Sequence, residues 1–101
     1  MDLLQFNTHF IALLEGYSVK YSQFEKGEFG GLDRVELDGF NKLATLEFWS
    51  QGWIGLEIFD CSIDQQVMNE LLSPDEVKLR LYVVEKFMSI LKSDVVVRDE
   101  Q

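Results

Sequence analysis

The sequence predicts an α+β fold: an antiparallel meander sheet of about four strands, with an N-terminal helix and two C-terminal helices packed mainly on one face. Two observations predict it. Apolar residues recur at helical spacing near both ends of the chain, whereas residues 17–60 alternate in polarity and are divided by turn residues. At 101 residues with 47% hydrophobic content, the chain is large enough to bury a core as a single domain over residues 1–101.

The first part of the chain predicts one helix and one strand. A helix is expected over Asp2–Glu15, with Gly16 as its left-handed C-terminal cap. Its apolar stripe consists of Leu3, Phe6, Phe10 and Leu13. Residues Tyr17–Ser22 then alternate as a half-buried strand does. The glycine-rich segment Phe24–Gly31 is expected to be a loop whose two phenylalanines either tuck under the sheet or form an exposed contact patch.

Residues Leu32–Asp60 predict two consecutive β-hairpins, around which the rest of the chain is organised. Asp38-Gly39 is a two-residue type I′ turn signal, and it would pair Leu37 with Phe40. The second turn is best read as the three residues 50–52, because a two-residue turn would set unlike side chains opposite each other on both faces. The resulting pairs are Trp49 with Trp53, Phe48 with Ile54, Leu46 with Leu56, and Ala44 with Ile58.

These turns sort the strand residues onto two faces. The core face is apolar and comprises Val35, Leu37, Phe40, Ala44, Leu46, Phe48, Ile54, Leu56 and Ile58. The other face, called the Glu/Trp face below, comprises Arg34, Glu36, Asn41, Leu43, Thr45, Glu47, Trp49, Trp53, Gly55, Glu57 and Phe59. A sheet face intended only for water rarely carries opposed tryptophans, so a contact role is expected. The sequence leaves open whether this face is exposed or covered by the chain itself.

The last third of the chain predicts two helices. The first is expected from Ser62 to about Leu72, with Val67 and Leu71 facing inward. The second has a strong start at Ser73-Pro74, where Glu76 completes a capping box, and runs to about Lys92. Its stripe consists of Val77, Leu81, Val84, Met88 and Leu91. The tail from residue 93 to 101 either adds a short edge strand or frays.

Charge is distributed unevenly along the chain, whose net charge is −9. Residues 25–64 carry nine acidic and three basic side chains, whereas residues 74–92 carry three acidic and four basic ones. An acidic sheet region repels nucleic acid and anionic membranes, and it accelerates encounter with a basic partner. Ordinary solubility explains an acidic chain equally well.

The sequence contains no pattern typical of an active site. Its single histidine, His9, and its single cysteine, Cys61, lack the neighbours that nucleophilic catalysis requires, so the protein is not expected to be an enzyme. Glu47 and Glu57 are diagonal neighbours on the Glu/Trp face, but nothing predicts a pocket around them. No metal or cofactor is expected. The lone cysteine, the absence of a long apolar run and the absence of a basic, apolar leader predict a cytoplasmic protein.

The acidic block Leu32–Asp60, its Trp49 and Trp53 pair and the flanking helices resemble the small acidic immunity proteins of bacterial toxin–immunity systems, including those of contact-dependent growth inhibition. The likeness is one of size, charge and layout, and it spans essentially the whole chain. It implies a cytoplasmic protein, monomeric or weakly dimeric, that binds a cognate toxin domain, often a nuclease. The bound protein would block the active site or substrate groove of that toxin.

The expected partner-binding surface combines acidic and aromatic side chains. Its residues are Glu36, Glu47, Trp49, Trp53, Glu57, Asp33, Asp60, Glu25 and Glu28. The carboxylates would meet a basic protein surface, and the tryptophans would act as binding hot spots. The alternative is a small acidic protein similar to secretion chaperones, which would hold an effector segment in an apolar groove. A small enzyme or ligand-binding domain is the third possibility.

Overall fold

The sheet of this protein is a five-stranded antiparallel meander in the order β1-β2-β3-β4-β5. The structure, a computed structural model, describes residues 2–25 and 30–93. Its elements are α1 (Leu3–His9), a short 3₁₀ turn (Ile11–Leu13), β1 (Ser18–Phe24), β2 (Leu32–Gly39), β3 (Lys42–Trp49), β4 (Ile54–Asp60), β5 (Gln65–Leu72) and α2 (Val77–Lys92). The α+β class and the meander are therefore confirmed. Residues 94–101 of the tail, for which either an edge strand or fraying was expected, lie outside the described residues.

The fifth strand corrects the prediction of a helix from Ser62 to Leu72. These residues instead form a four-residue turn followed by β5, which pairs with β4 along its length apart from a bulge at Ile58 and Phe59. Val67 and Leu71, predicted to face inward, are 37% and 49% exposed, and Met68 and Leu72 are buried instead. Residues four apart share a face in a helix and in a strand alike, so either pair fits both patterns. Backbone hydrogen bonding favours the strand over the helix. As a strand, β5 pairs with the backbone N–H and C=O groups along the outer edge of β4, which a helix at residues 65–72 would leave unpaired.

The first hairpin turn lies two residues later than predicted. Phe40 and Asn41, not Asp38-Gly39, occupy the turn, and both have positive φ, 50° and 60°. Gly39 serves close packing instead, because a Cβ there would lie 3.0 Å from the Gly16 carbonyl oxygen. The Phe40 ring offsets its unusual backbone by packing edge-on against Tyr17, 5.1 Å between centroids. Val35 consequently pairs with Leu46 in the observed register.

The second turn confirms the prediction. Ala44 pairs with Ile58, Leu46 with Leu56, and Phe48 with Ile54. The Trp49 backbone N–H donates to the Trp53 carbonyl at 3.0 Å, and Gly52 has the expected left-handed backbone, φ 98°. The first-turn error moved strand partners by an even number of residues, so it left every side chain on its predicted face.

The core face is confirmed and is covered by both helices. Eight of its nine predicted residues are buried, and the ninth, Phe40, packs partly buried against the same cluster. From α1, Phe6 lies 6.2 Å from the Phe48 ring. From α2, Leu91 is buried, and its carbonyl accepts a hydrogen bond of 2.7 Å from the Tyr17 hydroxyl. One C-terminal helix, rather than the two predicted, completes this layer.

Both helices are shorter than predicted. The N-terminal helix ends at His9 and continues as the 3₁₀ turn, although Gly16 does adopt a left-handed conformation. In α2 the Ser73 backbone N–H donates to the Glu76 carboxylate at 2.8 Å, which is half of the predicted capping box, but helical structure begins only at Val77. The buried residues of α2 are Val83, Val84, Phe87, Met88 and Leu91. Val77 and Leu81, assigned to the buried stripe, are 62% and 68% exposed.

Candidate functional site

The Glu/Trp face is left uncovered by the helices that the structure describes. Both α1 and α2 pack on the core face, and side chains on the opposite side of the sheet remain half-buried or exposed. Leu43, Phe24 and Leu71 on this side are exposed to 47%, 44% and 49%. These side chains lie on β1, β3 and β5 and are therefore spread across the face. This uncovered face, together with the end of the sheet beside it, is the candidate site.

Strand register arranges the Glu/Trp face in rows that run across the sheet. The row nearest the β3–β4 turn is apolar and consists of Phe24, Leu32 and Trp49. The two middle rows are polar and charged: Ser22, Arg34, Glu47, Gly55 and Leu71, then Lys20, Glu36, Thr45, Glu57 and Asn69. The row at the other end consists of Ser18, Asp38, Leu43, Phe59 and Gln66. Three of the four rows thus contain a carboxylate, and the row nearest the β3–β4 turn does not.

Glu47 is held by a partner within the chain. The Arg34 Nη2 lies 2.7 Å from the Glu47 Oε2, and the Arg34 Nε donates to the same oxygen at 2.8 Å. The same guanidinium lies over the Phe24 ring, 4.8 Å from its centroid. The two side chains of the ion pair are 34% and 18% exposed, so the pair is partly shielded from solvent. Because Arg34 compensates its charge, Glu47 contributes less negative potential to this face than the sequence predicted.

Trp49 lies across the neighbouring strand, where Gly55 makes room for it. A Cβ on Gly55 would lie 3.2 Å from the six-membered ring of Trp49 and 3.2 Å from the Glu47 Oε1. Any side chain at this position would displace one of them. Gly55 is therefore the residue that allows a large aromatic side chain to lie flat next to the Arg34–Glu47 pair.

Glu36, Glu57 and the exposed Asp38 are the carboxylates of the Glu/Trp face that form no ion pair among the described residues. Lys20 lies opposite Glu36 on the neighbouring strand. Glu57 is exposed and Glu36 half-buried, and neither forms an ion pair within residues 2–25 and 30–93. They occupy the same cross-sheet row, on either side of Thr45. Two carboxylates on rigid strands offer acceptors for a basic partner without any rearrangement of the backbone.

A cleft of about 490 Å³, called the end cleft below, opens at the β3–β4 end of the sheet. It brings together four of the predicted partner-binding residues: Glu25, Asp33, Trp49 and Trp53. Its other lining residues are Asp2, Leu3, Gln23, Phe24, Gly31, Leu32, Phe48, Ser50 and Gly52. The structure therefore groups predicted acidic and aromatic residues that are far apart in sequence.

Asp60 lies apart from the other predicted site residues. It follows the core-face residues of β4 and pairs across the sheet with Lys42, whose side chain is buried. The Ser62 hydroxyl donates to the Asp60 carboxylate at 2.5 Å, and the Ser62 backbone N–H donates to it at 3.0 Å. The hydroxyl bond is the main cause that lowers the pKa of Asp60, and Lys42 adds to it. Glu28, also predicted to bind the partner, lies outside the described residues.

Three contributors to this surface were not among the predicted site residues. Phe24 and Asp2 line the end cleft, and Leu43 is an exposed apolar residue on the Glu/Trp face. The alternation of polarity in β3 already places Leu43 on the Glu/Trp face, so the sequence itself indicated that this leucine would be exposed. No sequence pattern connects Asp2 to the cleft, because α1 reaches it only through tertiary packing.

The potential metal ligands of the described residues are dispersed. Within residues 2–25 and 30–93, no three histidine, cysteine, aspartate or glutamate side chains are grouped as a metal site requires. His9 is exposed at the end of α1, and Cys61 is exposed in the β4–β5 turn. The groups that the structure does bring together are the carboxylates of the uncovered sheet face and the aromatic and acidic residues of the end cleft.

Comparison of the chain with protein family models, with curated proteins and with solved structures finds no match in any of the three. Among the described helices, none combines the length and the apolar composition that crossing a bilayer would require.

Proposed function

We propose that this protein is a cytoplasmic, non-catalytic immunity protein that binds a cognate toxin domain, most simply a basic nuclease, and blocks its active site or substrate groove. The observation that carries the proposal is the uncovered Glu/Trp face, on which exposed apolar side chains lie beside carboxylates that form no ion pair among the described residues. A rigid sheet that presents such groups favours protein recognition over small-molecule chemistry.

The charges of this face support a basic partner. Glu36 and Glu57 have no ion-pair partner among the described residues, while Arg34 and Glu47 neutralise each other. Carboxylates so placed would occupy positions where a nuclease binds phosphate oxygens. The overall net charge of −9 would steer the approach of a basic domain and raise its association rate.

The apolar side chains at the two ends of the face supply the second component of binding. Leu43 and Phe59 lie at one end, and Trp49 lies at the other. Tryptophan is enriched among the residues that contribute most of the binding free energy of protein interfaces, so Trp49 is the expected anchor at its end of the face. The protein is proposed to act as a monomer or weak dimer, so that this face is available to the toxin.

The test is binding to the toxin domain encoded by the adjacent gene, measured by surface plasmon resonance at several salt concentrations. The double variant Glu36→Lys/Glu57→Lys should lower the association rate by about tenfold or more at low salt. Asp75→Lys/Glu85→Lys is the matched control, since it changes the net charge equally at two exposed residues outside the Glu/Trp face. Equal loss in both variants, or no loss in either, would reject the Glu/Trp face as the binding surface.

The alternative, a protein similar to secretion chaperones, is favoured by a different surface. Val77, Leu81 and Tyr82 in the first half of α2 are all more than 60% exposed, and an apolar helix surface of this kind could hold an effector segment. Leu81→Ser should abolish partner binding if this surface is used, and it should leave toxin binding unchanged if the Glu/Trp face is used. Size-exclusion chromatography adds a second criterion, because an obligate dimer would favour the chaperone alternative.

A further inference from the structure

The end cleft differs from the rest of the candidate site because it combines a concave shape with both tryptophans of the chain. Its volume of about 490 Å³ lies within the usual range for pockets that bind a discrete chemical group. Both tryptophans of the chain, Trp49 and Trp53, line it together with Phe24. We propose that this cleft is a guanidinium site that receives an arginine side chain of the partner protein, an inference that rests on the proposed function.

The charge of the cleft favours a cation. Among its described lining residues are three carboxylates, Asp2, Glu25 and Asp33, and no lysine or arginine. Two of these carboxylates are already oriented. Asp33 accepts a hydrogen bond from the Gln23 Nε2 at 3.0 Å, and Asp2 accepts one from the Gln5 backbone N–H at 2.9 Å. A carboxylate has more acceptor positions than these bonds use, so both can still receive donors from a ligand.

Aromatic walls distinguish an organic cation from a metal ion. A metal ion needs several oxygen or nitrogen ligands at short range, and no such group exists among the described residues. A guanidinium is planar and weakly hydrated, so it stacks on aromatic rings and simultaneously pairs with carboxylates. The chain already contains this arrangement at the edge of the cleft, where Arg34 lies 4.8 Å above the Phe24 ring while it binds Glu47.

The wall of the cleft is held rigidly by the β3–β4 turn. The Ser50 backbone N–H donates to the Gly31 carbonyl at 2.7 Å, and the Gly31 N–H donates to the Ser50 hydroxyl at 3.0 Å. On the other side of the turn, Gly52 packs so closely on Pro74 that a Cβ would lie 2.9 Å from the proline ring. A site held in place before the ligand arrives loses less entropy on binding.

Arginine is favoured over lysine by the same geometry. The guanidinium presents five donors in one plane, which suits carboxylates on separate walls, whereas an ammonium is a compact and strongly hydrated charge. A partner protein is favoured over free arginine, because the α-carboxylate of the free amino acid would enter a cleft lined by three carboxylates.

The test uses the intact protein and short peptides. The probe is the peptide acetyl-Gly-Arg-Gly-amide, and its matched control carries citrulline, which has the same shape without the charge. Intrinsic fluorescence follows binding at this site, because the only two tryptophans of the chain line it. The arginine peptide should bind saturably and about tenfold more tightly than the citrulline peptide. Equal affinity for the two peptides would overturn the proposal.

Variants assign that affinity to the cleft. Asp33→Asn and Glu25→Gln should each weaken the arginine peptide severalfold and leave the citrulline peptide unchanged, while Glu85→Gln, an exposed position on α2, should change neither. Circular dichroism checks that each variant is folded. Loss in Glu85→Gln equal to that in Asp33→Asn would overturn the assignment to the cleft. Free arginine that binds more tightly than the peptide would overturn the assignment to a protein partner.

The toxin domain separates this inference from the proposed function. Weaker toxin binding by Asp33→Asn and Glu25→Gln, in parallel with the peptide, would support a guanidinium site used by the partner. If the toxin binds through Glu36 and Glu57 but is insensitive to Asp33→Asn and Glu25→Gln, the cleft inference fails and the proposed function stands. If the arginine peptide binds as expected and the toxin does not bind at all, the proposed function fails while the cation selectivity of the cleft stands.

Discussion

The two faces of the sheet are built from alternate residues of the same strands, yet they differ in how completely their apolar side chains are buried. On the core face, Leu46, Leu56 and Ile58 have no exposed surface, and both helices pack on them. On the Glu/Trp face, Leu43 and Leu71 remain about half exposed although they are equally apolar. An apolar residue that is kept in solvent contributes little to folding, so Leu43 and Leu71 add less to stability than the buried leucines.

The two faces also differ in how their charged residues are paired. On the Glu/Trp face, some charges are paired with each other and others are left for solvent or a partner. On the core face the one buried charged residue, among those described, is Lys42, which lies at the end of β3 opposite Asp60. The core face is thus specified by packing, and the Glu/Trp face by the pattern of its charges. Four pairs of variants test this distinction.

A matched pair of leucine variants should separate the two faces most clearly. Leu56→Ala removes a fully buried side chain and should lower the free energy of unfolding by about 2–5 kcal/mol. Leu43→Ala removes the same atoms from the Glu/Trp face and should cost less than about 1 kcal/mol. Urea denaturation followed by circular dichroism measures both. Similar losses would show that the Glu/Trp face is covered in solution and would contradict the comparison.

A pair of glycine variants tests how tightly the margin of the core face is packed. Gly16 has φ 100°, and a Cβ there would lie 2.6 Å from the Phe40 ring, so Gly16→Ala should destabilise by about 1–3 kcal/mol. In Gly31→Ala the new Cβ would meet no described atom closer than 3.6 Å, and the change should be within about 0.5 kcal/mol. Thermal unfolding compares the two. A Gly16→Ala protein as stable as the wild type would show that Phe40 does not rest on the Gly16 backbone.

The Arg34–Glu47 pair tests the charges of the Glu/Trp face. A double-mutant cycle with Arg34→Gln and Glu47→Gln should give a coupling free energy of about 0.5–1 kcal/mol, because both side chains are partly exposed and screened by solvent. The coupling should decrease as salt is added. A coupling near zero at low salt would mean that Glu47 is as available to a partner as Glu36 and Glu57.

The smallest effect is expected at the acid end of the pH range. The Ser62 hydrogen bond lowers the pKa of Asp60 below its ordinary value of 3.8, so the ionised carboxylate stabilises the fold above that value. This contribution is lost as the pH falls through the lower pKa of the folded state. Asp60→Asn should therefore reduce the dependence of the free energy of unfolding on pH below about pH 4. Ser62→Ala should produce part of the same flattening, and a slope unchanged in both variants would contradict the assignment.

Much of the fold was predictable from local patterns. Strict alternation in β3 and β4 assigned every residue to a face, and Gly52 identified the second turn, because these signals depend only on neighbouring residues. The incorrect predictions fall at residues whose spacing fits both a helix and a strand, and at residues that fit two alternative turns. Met68 and Leu72 fit a helix and a strand equally well, and Gly39 resembled a turn residue although it is needed for packing against Gly16 and Tyr17.

The candidate site was less predictable, since its contacts depend on register. The register predicted for the first hairpin would have placed Arg34 opposite Leu43, whereas the observed register places it opposite Glu47. This difference converts a carboxylate expected to bind the partner into half of an internal ion pair. The end cleft depends in addition on residues from α1, β1 and the β3–β4 turn, whose proximity no local pattern encodes.

By itself, the sequence determined which side of each central strand is buried, because alternation of polarity depends on a single chain segment. Only the tertiary structure decided which Glu/Trp-face carboxylates stay uncompensated, and which acidic and aromatic residues meet at the end of the sheet. Those contacts join segments up to about fifty residues apart, and they follow from strand register and helix docking, which are set by packing of the whole core.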